Sequence, residues 1–370
     1  MKAELISNNI SLDTSFIEGQ NFLAGSKMRD LSTLCIDGSI KLFITDITYR
    51  ETIARFRTNA AQAIEKIKKP KSQIEGNARL LRNFPELKMF FELPSPDIED
   101  LCEKFLVMFD KWLRKNKTTI IPTDNLSIKD ILDDYFYNRP PFKEGEKKHE
   151  FPDAFTLKAT EEFFKKKAQK TYILTIDKDL LSYKSEIVIP IDDSASLFDL
   201  IIRSLSEKRL DSEAIKLIES ELFKSKYLLS IQASALIKKA IEDEVGSTNQ
   251  IDQIEIEFFE DVKLSEIEFG QYSIVNLNNK KGTAIIECEI NFSFDVRFSA
   301  KDYSEAWHDN EDDVWHYLEE KSYSIDDTFY IPISITAAFN IQDGFIEMEV
   351  DNINNGYPLE IFESFRPWQV

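Results

Sequence analysis

The sequence predicts an α/β domain whose parallel sheet is flanked by helices, followed by further helices and a C-terminal antiparallel β-rich domain. Three observations carry this expectation. In the first 185 residues short apolar runs alternate with helical patterns, as in chains built from βαβ units. From about 194 to 244 the text is helical (SLFDLIIRSLSEKRL, DSEAIKLIESELFKSKYLL, IQASALIKKAIEDE). Beyond GSTNQ (246–250), which reads as a linker, apolar and polar residues alternate with period two, the mark of half-buried antiparallel strands. The expected divisions are therefore 1–190 for the α/β domain, 191–248 for a helical connector and 249–370 for the β-rich domain.

Each element has its own reason. ISL (10–12) is a short strand stopped by Asp13. KLFIT (41–45) is a second strand, followed by a helix from about Ile47 to Lys69 that Pro70 should end, since proline lacks the N–H the helix needs. DIEDLCEKFLVMFDKWLRK (97–115) has apolar residues at helical spacing and an acidic first turn. TTIIP (118–122) is a third strand and SIKDILDDYF a short helix, within a long, mainly helical insertion over 72–138. After the loop NRPPFKEGEKKHE a helix opens at Pro152, a favoured first-turn residue, and runs to about Lys170. TYILTI (171–176) is a strand stopped by Asp177. In the last third, IEIEFFEDVKL, GTAIIECEINFSFDVRFSA and FYIPISITAAFNIQDGFIEMEV read as strands, with hairpin turns at NNKKG (278–282) and QDG (342–344).

Charge separates the two halves. Residues 1–185 hold 31 Lys/Arg and 28 Asp/Glu, whereas residues 186–370 hold 15 and 38. Nucleic acid is bound largely by neutralising phosphates, which the first half can do and the second would oppose. Three cysteines without a CxxC pair argue against a disulfide framework or a structural zinc site, and fit a reduced cytoplasm. No apolar run is long enough to span a membrane, and MKAELISNNISL lacks the apolar core of a signal peptide.

The chemistry lies in carboxylates placed where parallel sheets build their sites, at the carboxyl ends of strands. Asp13 ends the first strand in LDTSFI, and Glu51 lies on the helix after the second, in ITDITYRETIARF. Asp153 is in the first turn of the helix of HEFPDAF. Asp177 ends the strand TYILTI, with Asp179 two residues on. Taken singly, an Asp at a strand end is usually a helix cap. Four in series would bind Mg²⁺ or Mn²⁺, hard cations that prefer oxygen ligands, and such chemistry needs no His or Cys nucleophile.

The set LDTSF, ITYRETI, KKHEFPDAFTL and LTIDKDL resembles the PIN-domain nucleases. It looks especially like a bacterial PIN-like branch in which an RPPF segment, here Arg139-Pro140-Pro141-Phe142, precedes a KHEFPDAF helix. The resemblance covers roughly residues 7–185. It implies a divalent-metal-dependent nuclease, RNA as substrate with DNA as the alternative, and Asp13, Glu51, Asp153 and Asp177 as catalytic metal ligands with Asp179 auxiliary. It also implies Thr14 and Thr175 as hydroxyl partners of those acids and Lys148 as a contact to phosphate; Lys143 and Lys147, beside it and flanking the acids, give a plausible nucleic-acid path, with Arg139 as a further expected substrate contact. Haloacid-dehalogenase-type phosphatases also begin with an Asp-terminated strand but need Asp-x-Asp, and Ser15 stands in the second place.

Other clusters read more plainly. Lys66, Lys68, Lys69 and Lys71, and Lys165, Lys166, Lys167 and Lys170, follow helix ends, where cations are stabilising in their own right. His149 is read as positional, and His308 and His316, with Trp307 and Trp315, as part of a β-domain loop with buried tryptophans. The acidic last third suggests a regulatory or protein-binding role, in the manner of a toxin or phage-defence effector, and self-association is left open. The rivals are a catalytically silent scaffold and a structure-specific DNA nuclease.

Overall fold

The computed structural model describes residues 4–77, 96–124, 126–142, 150–209, 212–248, 250–251, 254–302, 307–309, 314–316 and 320–362, with the backbone alone for 69–77, 206–209, 250–251, 302, 307–309, 314–316 and 320. The chain divides into two compact units, Met1–Ser194 and Ala195–Val370.

The first unit is built on a five-stranded parallel sheet: β1 (Asn9–Leu12), β2 (Lys41–Thr45), β3 (Thr119–Ile121), β4 (Thr171–Leu174) and β5 (Val188–Ile191), in the order β3-β2-β1-β4-β5. Helices α1 (Thr14–Gly19), α2 (Ser26–Ile36), α3 (Asp46–Asn77), α4 (Ile98–Lys115), α5 (Ile128–Phe136), α6 (Phe151–Lys166) and α7 (Lys178–Leu181) connect and cover it. The central strands are buried along their length, as strands covered on both faces must be. The chain leaves β1 to one side through β2 and β3, then returns to β4 and β5 on the other. The carboxyl ends of β1 and β4 therefore flank the point where the winding reverses, where open α/β sheets form their crevices.

Several expectations are corrected. The helix said to end at Pro70 continues as α3 to Asn77; losing one N–H costs a single rung of a 32-residue ladder and does not stop it. The Asp153 helix ends at Lys166, not Lys170, because Ala168 adopts positive φ. The strand before Asp177 ends at Leu174, where Thr175 and Ile176 peel away to start α7. The sequence does not announce the short helices α1, α2 and α7 or the edge strand β5.

The second unit begins with α8 (Ser194–Arg209), α9 (Ser212–Lys224) and α10 (Lys226–Ser247). These helices, read from sequence as a connector, lie within the unit itself: Leu229, Ala233, Ile237, Ile241 and Val245 form a buried stripe along α10, which packs on its sheet. The sheet comprises β6 (Gln250–Ile251), β7 (Ile254–Leu264), β8 (Glu268–Asn278), β9 (Thr283–Asp302), β12 (Glu320–Asn340) and β13 (Phe345–Ile353), all antiparallel. Period two runs along β9, whose even-numbered residues from Ala284 to Ala300 are all buried, until Ser299 is buried as well. The stretch read as a loop carries a small hairpin, β10 (Trp307–Asp309) on β11 (Val314–His316); whether its tryptophans are buried lies outside the described residues.

Both expected hairpin turns form. At Gly282, φ is +63°, and a Cβ there would come within 2.1 Å of the Phe339 carbonyl oxygen. Gly282→Ala is thus expected to destabilise the second unit by about 2 kcal/mol or more. Thermal melting of the purified protein checks this, and an unchanged midpoint would contradict it.

Candidate active site

The site begins with β1. Its last residue, Leu12, lies beside Leu174 of β4, and the Asp13 N–H donates to the Leu174 carbonyl at 3.0 Å. Asp13 then turns out of the sheet as the N-cap of α1 and is almost fully buried. Its Oδ2 accepts from the Ser15 N–H at 3.0 Å, the Ser15 hydroxyl at 2.5 Å and the Thr175 hydroxyl at 3.0 Å. Ser15 in turn accepts from the Ile176 N–H, and Thr175 from the Asp177 N–H, so the ends of β1 and β4 are stitched together through one carboxylate. Burial raises the Asp13 pKa above its ordinary value, against the lowering effect of these hydrogen bonds.

Asp177 caps α7 in the same way, accepting from the N–H groups of Asp179 and Leu180 at 2.7 and 3.4 Å. Asp179 therefore enters this corner through its backbone N–H. Glu51 projects from α3 toward α1: its Oε2 accepts from the Thr14 hydroxyl at 3.1 Å and its Oε1 from Arg55 at 3.2 Å. Beneath it, the buried hydroxyls of Thr45, Thr48 and Thr156 are linked at 2.9 and 3.2 Å, tying β2 and α3 to α6 one turn away from both Glu51 and Asp153.

Asp153 closes the set. It lies in the first turn of α6, after Pro152, where the helix dipole favours a negative charge. Even so, burial and then the charges of Asp13, Glu51 and Asp177 push its pKa up to about 8, with Arg55 acting in the opposite sense. Each of the other three acids thus lies near enough to Asp153 for its charge to oppose ionisation there. Like charges gathered in one partly dry place oppose one another's ionisation, and a hard cation bound among them would relieve that opposition. The oxygen-only donor set fits Mg²⁺ or Mn²⁺. Among the described residues, no three acidic, histidine or cysteine side chains already stand as a ligand cluster.

The RPPF segment supports α6. Phe142 is 1 % exposed and packs with Ile131 and Ala154, its ring edge-on to Tyr135 and Phe151 at 5.5 and 5.0 Å. Ala154 is the next residue after Asp153, so this aromatic cluster sets where the acid stands. Arg139 is turned to Asp134 at 3.4 Å and over the Tyr137 ring. Lys147, Lys148, Lys143 and His149 lie outside the described residues.

Three residues of the site escaped the sequence reading. Ser15 was noted only for not being an aspartate, yet it orients Asp13. Arg55 pairs with Glu51, and Glu18 of α1 pairs with Arg55 at 3.6 Å while accepting from Asn59 at 2.8 Å. Glu51, Arg55 and Asn59 sit at i, i+4 and i+8 on one face of α3, a spacing that could have revealed the stripe but not its partner on α1.

In comparison with known proteins, the family model of the PIN domain matches residues 10–180. No match was found among curated proteins or among solved structures.

Proposed function

We propose, on the premise that residues 10–180 are a PIN-like domain, that this chain is a divalent-cation-dependent endoribonuclease acting through Asp13, Glu51, Asp153 and Asp177. PIN domains as a family are nucleases. The observation that supports assigning the reading to particular residues is that the charges of Asp13, Glu51 and Asp177 each oppose ionisation of Asp153. A divalent cation bound there would polarise a water for attack on phosphorus and neutralise charge on the phosphate. The protein's own part is positional. Ser15 and Thr175 aim the Asp13 carboxylate, Thr14 steadies Glu51, and the first turn of α6 presents Asp153. The Asp153 carboxyl, whose pKa burial and neighbouring charges push up to about 8, would have to give up its proton for a cation to be held there.

RNA is preferred to DNA on the family resemblance alone. The test is cleavage of a labelled circular single-stranded RNA in Mn²⁺, with flap DNA offered in parallel. Wild type is expected to linearise the circle, and Asp13→Asn to do so more slowly by about 10³-fold. Equal rates would place the activity elsewhere, and preferential cutting of the flap would favour the DNA-nuclease reading. The second half of the chain, with 15 basic and 38 acidic residues, is read as a regulatory unit that binds protein rather than RNA. A toxin or phage-defence role follows if expression in bacteria arrests growth and Asp13→Asn abolishes the arrest. Indiscriminate cleavage of total RNA by the intact chain, with no trigger, would count against regulation.

A further inference from the structure

Both carboxylate oxygens of Glu51 already have partners within the protein. Oε2 takes the Thr14 hydroxyl and Oε1 takes Arg55. Arg55 in turn has a second carboxylate within reach: its other terminal nitrogen lies 3.6 Å from Glu18 Oε2, and Asn59 holds Glu18 Oε1 at 2.8 Å. One guanidinium is thus shared between an acid of the candidate site on α3 and an acid on α1 outside it, and its charge is also felt by Asp153. A guanidinium does not deprotonate at any relevant pH, so it can leave Glu51 only by moving. The Arg55 side chain is 55 % exposed. Ion pairs with that much solvent are weak and exchange readily, whereas a divalent ion bound by several oxygens is not so easily displaced. Glu18, already oriented, is where the guanidinium can go.

We propose that Arg55 is the site's built-in counter-ion. In the metal-free protein it holds Glu51 out of the ligand set, and a divalent cation takes Glu51 by transferring Arg55 wholly to Glu18. This rests on the nuclease reading above only in taking Glu51 as a metal ligand. It accounts for four converging acids that do not yet form a ligand cluster among the described residues. It also makes cation affinity depend on the fraction of molecules in which Glu51 is released.

The exchange predicts a pattern across variants of the full-length chain, read by calorimetric titration with Mn²⁺ and no RNA. Arg55→Gln frees Glu51 and tightens Mn²⁺ binding by about tenfold, while Glu18→Gln removes the alternative resting place and weakens it by about threefold. In the double variant the Glu18 substitution has nothing left to act on, so its affinity equals that of Arg55→Gln alone. Simple long-range charge effects would instead add, placing the double variant between the two. That additive result, or a wild-type affinity in Arg55→Gln, would overturn the exchange while leaving the nuclease reading intact. Absence of Mn²⁺ binding by wild type would overturn both.

Discussion

Asp153→Asn is expected to abolish cation-dependent cleavage, by about 10³-fold or more, and at the same time to make the metal-free protein more stable at pH 8. The two effects share one cause. The Asp153 pKa is raised from 3.8 to about 8, first by burial and then by Asp13, Glu51 and Asp177. A raised acid binds its proton more tightly in the folded than in the unfolded chain. Its contribution is therefore harmless below pH 4, and stability falls as pH climbs from about 4 through about 8. Asparagine carries no charge in either state and removes that slope. The variant should match wild type near pH 4 and exceed it by up to about 5 kcal/mol at pH 8. Millimolar Mn²⁺ then inverts the order, because only a protein that binds the ion gains stability from it. Denaturant titrations at the two pH values, with and without Mn²⁺, measure all of this. A variant less stable than wild type at pH 8 without metal would show that the four acids do not repel one another.

That site was partly legible in the sequence because its backbone logic is local. A strand that must stop, and an acid that caps the next helix, appear as ISL-Asp13 and TYILTI-Asp177, and both acids do cap helices. Hydrophobic runs likewise located β1, β2 and β4, since a strand buried on both faces has little room for polar residues. What stayed hidden depends on contacts across the chain. β5 is four residues long and contains Pro190, which sequence logic assigns to an edge at best, and an edge is where it lies. The Glu18–Arg55 pair joins α1 to α3, and no periodicity within either helix says that they meet. The long α3 defeated the rule that proline ends helices, because the rule weighs one residue and the helix weighs all of its rungs. In the second unit the opposite held: alternation along β9 made burial readable residue by residue, while the packing of α10 onto the same sheet was not.

Phe142→Ala should be the most damaging substitution outside the acids. A ring that is 1 % exposed and packed against Ile131, Ala154, Tyr135 and Phe151 leaves a cavity whose cost is about 3–5 kcal/mol. The residue also buttresses the first turn of α6, and small misplacements of a reacting group are costly, about 10²-fold for 1 Å. The consequence for Asp153 can be separated from the loss of stability by a matched control. Phe164, at the other end of α6, is equally buried, against Phe43, Ile121 and Ala159. Phe164→Ala is expected to destabilise to a similar degree yet keep near wild-type cleavage per folded molecule at low temperature. Phe142→Ala under the same conditions should lose both Mn²⁺ affinity and rate, with Phe142→Leu recovering most of each. If the two alanine variants prove equally active when folded, the aromatic cluster around Phe142 merely stabilises the domain, and the position of Asp153 is set by the threonine-linked junction of β2, α3 and α6 instead.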